Sequence, residues 1–192
     1  MKFIRKITWE EVYNTWRTAE TTGDLWRKHY TNRGHTSWEE FRAYYINKTD
    51  LPKQDWQLYQ ITPKEIGQLQ VGPFEGWQAL AKEMGSSDFA TVSQAQIFND
   101  HKKIQDMLQD FPQKFPSEIQ LIGIRVKSTE NQPEKIVLFE GHHRAVAICR
   151  LLAQSQPVTV PSPELFKLQN VKITLALCDM DEPPKTIPKA AK

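Results

Sequence analysis

The chain has 192 residues, and 25 Lys and Arg against 23 Asp and Glu leave a formal net charge of +2. That balance argues against a bulk nucleic-acid binder, which carries a strong basic excess, while 39% hydrophobic residues suit a packed core rather than a disordered chain. No apolar run approaches the roughly 20 residues of a membrane span, no apolar region follows the basic residues 1–6 as a signal peptide requires, and two cysteines cannot build a disulfide framework or a four-ligand zinc site; a cytoplasmic protein without membrane contact is expected.

Residues 1–52 read as a helical N-terminal extension. Thr8 and Glu11 form a T-x-x-E capping box, and Ile7 and Val12 occupy the positions of a hydrophobic staple. Trp9, Val12, Tyr13 and Trp16 follow at helical spacing, with Gly23 as a stop. Ser37 and Glu40 repeat the box ahead of Phe41, Tyr44 and Tyr45, and Asp50-Leu51-Pro52 ends that helix, since proline disfavours helix in the residue before it. The aromatics here, Trp9, Trp16, Trp26 and Trp38 among them, suit packing on the main domain. They also suit an exposed face for a protein partner.

From residue 56 the texture changes. Trp56-Gln57-Leu58-Tyr59-Gln60-Ile61 alternates as a strand does, and Thr62-Pro63-Lys64-Glu65 sets a cap, an N1 proline and an N3 acid for a short helix. Gly72, Pro73 and Gly76 break the chain into a loop over 71–77, a helix over 77–84 stops at Gly85, and 85–92 reads as a polar loop. A longer helix is predicted over 94–110, with Ile97, His101, Ile104, Leu108 and Phe111 as one stripe and Pro112 as its end. On such a stripe His101 suits a satisfied, partly buried histidine better than a ligand. Strands are predicted over 119–126, 135–139 and 171–177, a helix over 142–153, a proline-punctuated connection over 157–168 and a loose tail over 181–192.

The residues that bear chemistry are Glu140-Gly141-His142-His143-Arg144. An apolar strand stops, one glycine turns the chain, and a helix begins at once. The first N–H groups of a helix lack intrahelical partners and the dipole makes that end positive, so it is an anion site in waiting. Gly141 permits close backbone approach. His142 and His143 can donate or accept, and Arg144 adds a planar fork suited to phosphate or carboxylate. Glu140 could orient a histidine, accept a ribose hydroxyl, or act as a base or metal ligand. The bland alternative is a helix start that is merely capped and paired with nearby acids.

With the helix behind it, this acid-Gly-His-His-Arg turn resembles the strand-turn-helix signature of the ParB/sulfiredoxin superfamily, and the order of elements over about 56–180 is compatible with that fold. The resemblance implies an α/β (α+β) domain with a small mixed sheet and packed helices. It also implies nucleotide phosphates at the turn, as ParB proteins bind CTP and sulfiredoxins use ATP. Gly141, His142, His143 and Arg144 would then contact phosphate, with Glu140 and His143 as candidate catalytic groups and Mg²⁺ accompanying ATP or CTP.

Departures from the family narrow that expectation. Sulfiredoxins place a catalytic cysteine directly after the turn glycine, where this chain has His142. Cys149 and Cys178 are expected to be packed thiols. Little chain follows the last strand for the helix-turn-helix region of a partitioning protein. A general base could come from Glu140, Asp100 or Glu75. Phe74 and Glu75, on the loop before the 77–84 helix, could supply a ring and a carboxylate to the same ligand. No protein metal site is expected, since adjacent histidines point in different directions and His142, His143 and Asp100 make a poor ligand set. Three functions compete: a nucleotide-dependent phosphotransferase or triphosphatase, a non-catalytic binding module for a phosphorylated ligand or protein, and, least favoured by the charge balance, a nuclease.

Overall fold

Thr62 caps the helix that follows it from both sides: its side chain accepts from the N–H of Glu65, and the Glu65 carboxylate accepts from the N–H of Thr62 at 2.7 Å. Such local chemistry places much of the chain in the computed structural model, which describes residues 1–21, 24–109, 121–128, 130, 133–154 and 173–188. Strands β1 (Lys2–Ile7), β2 (Trp56–Ile61), β3 (Leu121–Val126), β4 (Lys135–Glu140) and β5 (Ile173–Met180) form one mixed sheet in the order β1-β2-β5-β3-β4. β3 and β5 run parallel and the other neighbours antiparallel. The helices are α1 (Trp9–Thr21), α2 (Asp24–Thr31), α3 (Trp38–Ile46), α4 (Pro63–Ile66), α5 (Glu75–Met84), α6 (Phe89–Val92), α7 (Lys102–Gln109) and α8 (His142–Gln154). The chain is thus of mixed α/β class.

Strand alternation splits the sheet's side chains between two cores. Ile122, Ile124, Val126, Val137, Phe139, Ala176 and Cys178 face one way and pack with Val12, Trp16, Trp38 and Leu51 from the N-terminal segment. Leu121, Leu138, Ile173, Leu175 and Leu177 face the other way, against Ile66, Phe89, Ile104, Val146 and Ile148. Helices therefore cover both faces. Each large apolar side chain so buried contributes about 1.5–3 kcal/mol, so neither face is dispensable.

Several expectations need correction. The N-terminal segment is not helical throughout, since β1 joins the sheet beside β2; its helices do pack their aromatics on the main domain, and α1 and α3 supply one of the sheet's two cores. The first capping box forms, with the Thr8 N–H reaching the Glu11 carboxylate at 2.9 Å and the Glu11 N–H reaching the Thr8 hydroxyl at 3.2 Å. At the second, Ser37 accepts from Glu40 as expected, but the Glu40 carboxylate accepts from Thr36 instead. The helix predicted over 94–110 is broken. A single 3₁₀ turn spans Gln96–Phe98, α7 starts only at Lys102, and Ile97 is exposed rather than part of a stripe. The predicted polar loop over 85–92 contains α6, whose N-cap Asp88 accepts from the Thr91 N–H at 2.8 Å. The tail is not wholly loose, since Ile187 is buried and exchanges backbone hydrogen bonds with the 73–75 segment. Gly23, Phe111, Pro112 and the 157–168 connection lie outside the described residues.

Candidate functional site

β4 ends at Glu140, Gly141 turns the chain with φ +102, and α8 begins at His142. That φ lies in the region an L side chain rarely adopts, so the turn needs glycine. Glycine is required again opposite the turn, at Gly72. A Cβ there would stand 2.0 Å from the Leu138 carbonyl oxygen and 2.7 Å from His142 Nε2. The close approach lets the Gly72 N–H donate to His142 Nε2 at 2.9 Å.

That bond decides what His142 does. Its ring is buried, stacked on Trp77 at 4.7 Å between centroids and flanked by Phe74 at 5.6 Å. Burial lowers its pKa to about 4. With Nε2 accepting, a neutral His142 carries its proton on Nδ1. The expected role as a phosphate-contacting side chain is therefore replaced by a structural one, and only the backbone of His142 remains at the start of α8. Phe74 likewise packs inward, against Tyr45 at 5.6 Å and Phe139 at 5.5 Å.

His143 lies against His101, with centroids 5.0 Å apart, and edge-on to Trp77 at 5.5 Å. Burial, with Lys103 adding, pushes its pKa down to about 3. His101 Nδ1 is buried and unpaired among the described residues. Asp100 and Glu75 are both exposed, just ahead of α7 and at the start of α5. The charged groups that bear on Glu140 are different ones.

Glu140 sits between two guanidinium groups, with Arg144 Nη2 at 3.4 Å and Arg42 Nη2 at 3.8 Å. Burial alone would raise its pKa, but Arg42, Arg144 and Lys103 outweigh that and hold the carboxyl below its usual value. Arg42, on α3, was not singled out in the sequence. It is buried, with its guanidinium carbon 4.5 Å from the Trp16 ring centroid and 4.8 Å from that of Trp26. It donates through Nε to Glu20 at 2.8 Å and pairs through Nη2 with the other oxygen of the same carboxylate. Glu20 is only 3% exposed and also accepts from Trp38 Nε1 at 2.6 Å. Burial pushes its pKa up, with Arg42 opposing. Lys103, on α7, places its ammonium 4.7 Å from the Trp26 ring centroid. Desolvation of that ammonium lowers its pKa against the pull of Glu140 and Glu20, although the residue as a whole keeps solvent access. His29, near the same group, is lowered to about 4, chiefly by burial and then by the surrounding cations Arg33, Arg42 and Lys103.

The turn is thus one side of a charged cluster drawn from α1, α3, α7, β4 and α8. Among the described residues no group of three or more His, Cys, Asp or Glu side chains could hold a metal ion. The two carboxylates present are engaged by arginine, so the residues do not fit a protein-held Mg²⁺. Cys149 and Cys178 are buried free thiols with pKa values pushed up to about 12 by burial, far from the thiolate character a nucleophile needs. No helix among the described residues is long and apolar enough to cross a membrane. No protein-family model matches the chain, and comparison with curated proteins and with solved structures returns no match.

Proposed function

We propose that the chain binds a nucleotide or another phosphorylated ligand at the β4–α8 turn, within a fold of the ParB/sulfiredoxin type that the turn sequence resembles. The observation that supports this reading best is the meeting of Arg42, Lys103 and Arg144 with the start of α8. Among the described residues these three cations are opposed there by two carboxylates, Glu20 and Glu140. An anion is favoured by that excess, by the helix end and by partial exclusion of water, which strengthens each charge interaction.

Binding without turnover is favoured over phosphotransfer or triphosphatase activity. A general acid or base works best with a pKa near the operating pH, and His143 is held near 3. Glu140 has two guanidinium partners and so is a poor free base.

Calorimetry with ATP, CTP and inorganic phosphate, with and without Mg²⁺, tests the reading. Binding is expected, weakened about tenfold or more in Arg144→Ala, the usual worth of a charge-assisted hydrogen bond. Absence of heat with all three ligands would overturn it. Release of phosphate or diphosphate that His143→Ala abolishes would restore the enzyme reading.

A further inference from the structure

We infer that the site has a second anionic subsite centred on Lys103, which receives the distal phosphates of a di- or triphosphate while the start of α8 receives the proximal one. The inference rests on the phosphate-binding reading above and adds to it which residue sets the ligand's phosphate number.

Three observations carry it. Arg42 and Arg144 already have carboxylate partners: Arg42 is bidentate on Glu20, and Arg144 reaches Glu140. Both are thus shared with groups of the protein. Lys103 is the third cation of the cluster, and the group its ammonium overlies at 4.7 Å is the ring of Trp26, a face that attracts a cation without neutralising it. Finally, Lys103 and Arg42 share the Trp26 ring, at 4.7 and 4.8 Å from its centroid, and Arg42 in turn stands 3.8 Å from Glu140 beside the turn. The Trp26 contact turns the ammonium toward the N-terminal helices while the residue stays open to solvent, and so to an arriving ligand. Lysine suits the role, as a mobile point charge that can follow a phosphate chain. Lys102, its neighbour and also exposed, is instead paired with Asp106 at 3.2 Å on the same helix.

The Glu140–Arg144 contact fits the same picture. At 3.4 Å it lies at the long end of hydrogen-bond distance, so Arg144 can turn to an arriving phosphate while Arg42 keeps its share of Glu140.

The test compares CMP, CDP and CTP binding by calorimetry in the full chain, for the wild type and for Lys103→Gln, Lys103→Arg and Lys102→Gln. Lys103→Gln is expected to weaken CTP about tenfold and CMP less than twofold. Lys103→Arg should recover most of the loss, and Lys102→Gln should match the wild type. A merely structural defect would weaken all three nucleotides alike, and that result would overturn the inference. So would unchanged CTP affinity in Lys103→Gln while Arg144→Ala still loses binding, which would leave the phosphate-binding reading standing. No binding of any of the three by the wild type would overturn both.

Discussion

The backbone N–H of Gly72 donates to Nε2 of His142 across 70 residues of chain. This one bond joins the loop after α4 to the first residue of α8. It turns a histidine that reads in the sequence as a ligand contact into a core residue that fixes where the turn sits.

Gly72→Ala should therefore be among the most damaging small substitutions in the protein. Its new Cβ would meet backbone, the Leu138 carbonyl oxygen, at 2.0 Å, and backbone cannot swing aside as a side chain does. A loss of about 3 kcal/mol or more is expected, at the upper end for overpacking. His142→Ala leaves the Gly72 N–H buried without its acceptor and opens space beside Trp77. An unpaired buried donor alone costs about 1–3 kcal/mol. Urea denaturation monitored by tryptophan fluorescence measures both, and a wild-type midpoint for Gly72→Ala would contradict the close approach.

The depressed histidines make a pH prediction. His29 and His142 titrate near 4 and His143 near 3 in the folded chain, against 6.5 for the ordinary group. Between about pH 6.5 and 4 the unfolded chain binds more protons than the folded one, so stability falls as pH falls through that window. Each histidine contributes a slope of up to about 1.4 kcal/mol per pH unit. Glu20, raised by burial, contributes the opposite sign, so single variants are the clean comparison. Stability measured from pH 7 to 5 should fall less steeply in His143→Gln than in the wild type. Parallel curves would show that His143 is not held neutral.

What was legible in the sequence was local. The Thr62-Pro63-Lys64-Glu65 cap, the Gly85 stop and the strand-Gly-helix turn at 140–142 each rest on residues within a few positions of one another, and each appears in the structure. β1 escaped because an edge strand with all but Ile7 exposed has no apolar alternation to read. The 94–110 helix was overextended because Ile97 and His101 keep helical spacing with Ile104, and periodicity alone cannot show that the backbone breaks between them. Arg42 and Glu20 escaped for a different reason. They lie 22 residues apart on two helices, and a charged residue among helical aromatics reads as a solvent-facing position until the two helices are packed together.

The Glu20–Arg42 pair tests how far that cluster is structural. Arg42→Ala would leave Glu20 buried and uncompensated, and would remove one of the two cations beside Glu140; breaking a buried pair in this way costs about 3–5 kcal/mol. Replacing both partners, as Glu20→Leu with Arg42→Met, should recover most of that loss, since a well-packed apolar pair of similar size is often neutral. A double-mutant cycle in urea reads the coupling. If the double variant were as unstable as Arg42→Ala, the damage would lie in the lost Trp16 and Trp26 stacking rather than in the exposed charge on Glu20.

Gly141→Ala separates the shape of the turn from its charge. At φ +102 an alanine is strained by about 1–3 kcal/mol, yet every ionisable group of the cluster is kept. If the ligand is held by N–H groups at the start of α8, relieving that strain must tilt the first turn and misplace them. Phosphate or nucleotide affinity should then fall by tenfold or more, beyond anything the shift in unfolding temperature would explain at a temperature where the variant is fully folded. If side-chain charge alone held the ligand, Gly141→Ala would lose stability and keep its affinity. Calorimetry and thermal unfolding on the same sample, well below the transition, distinguish the two outcomes.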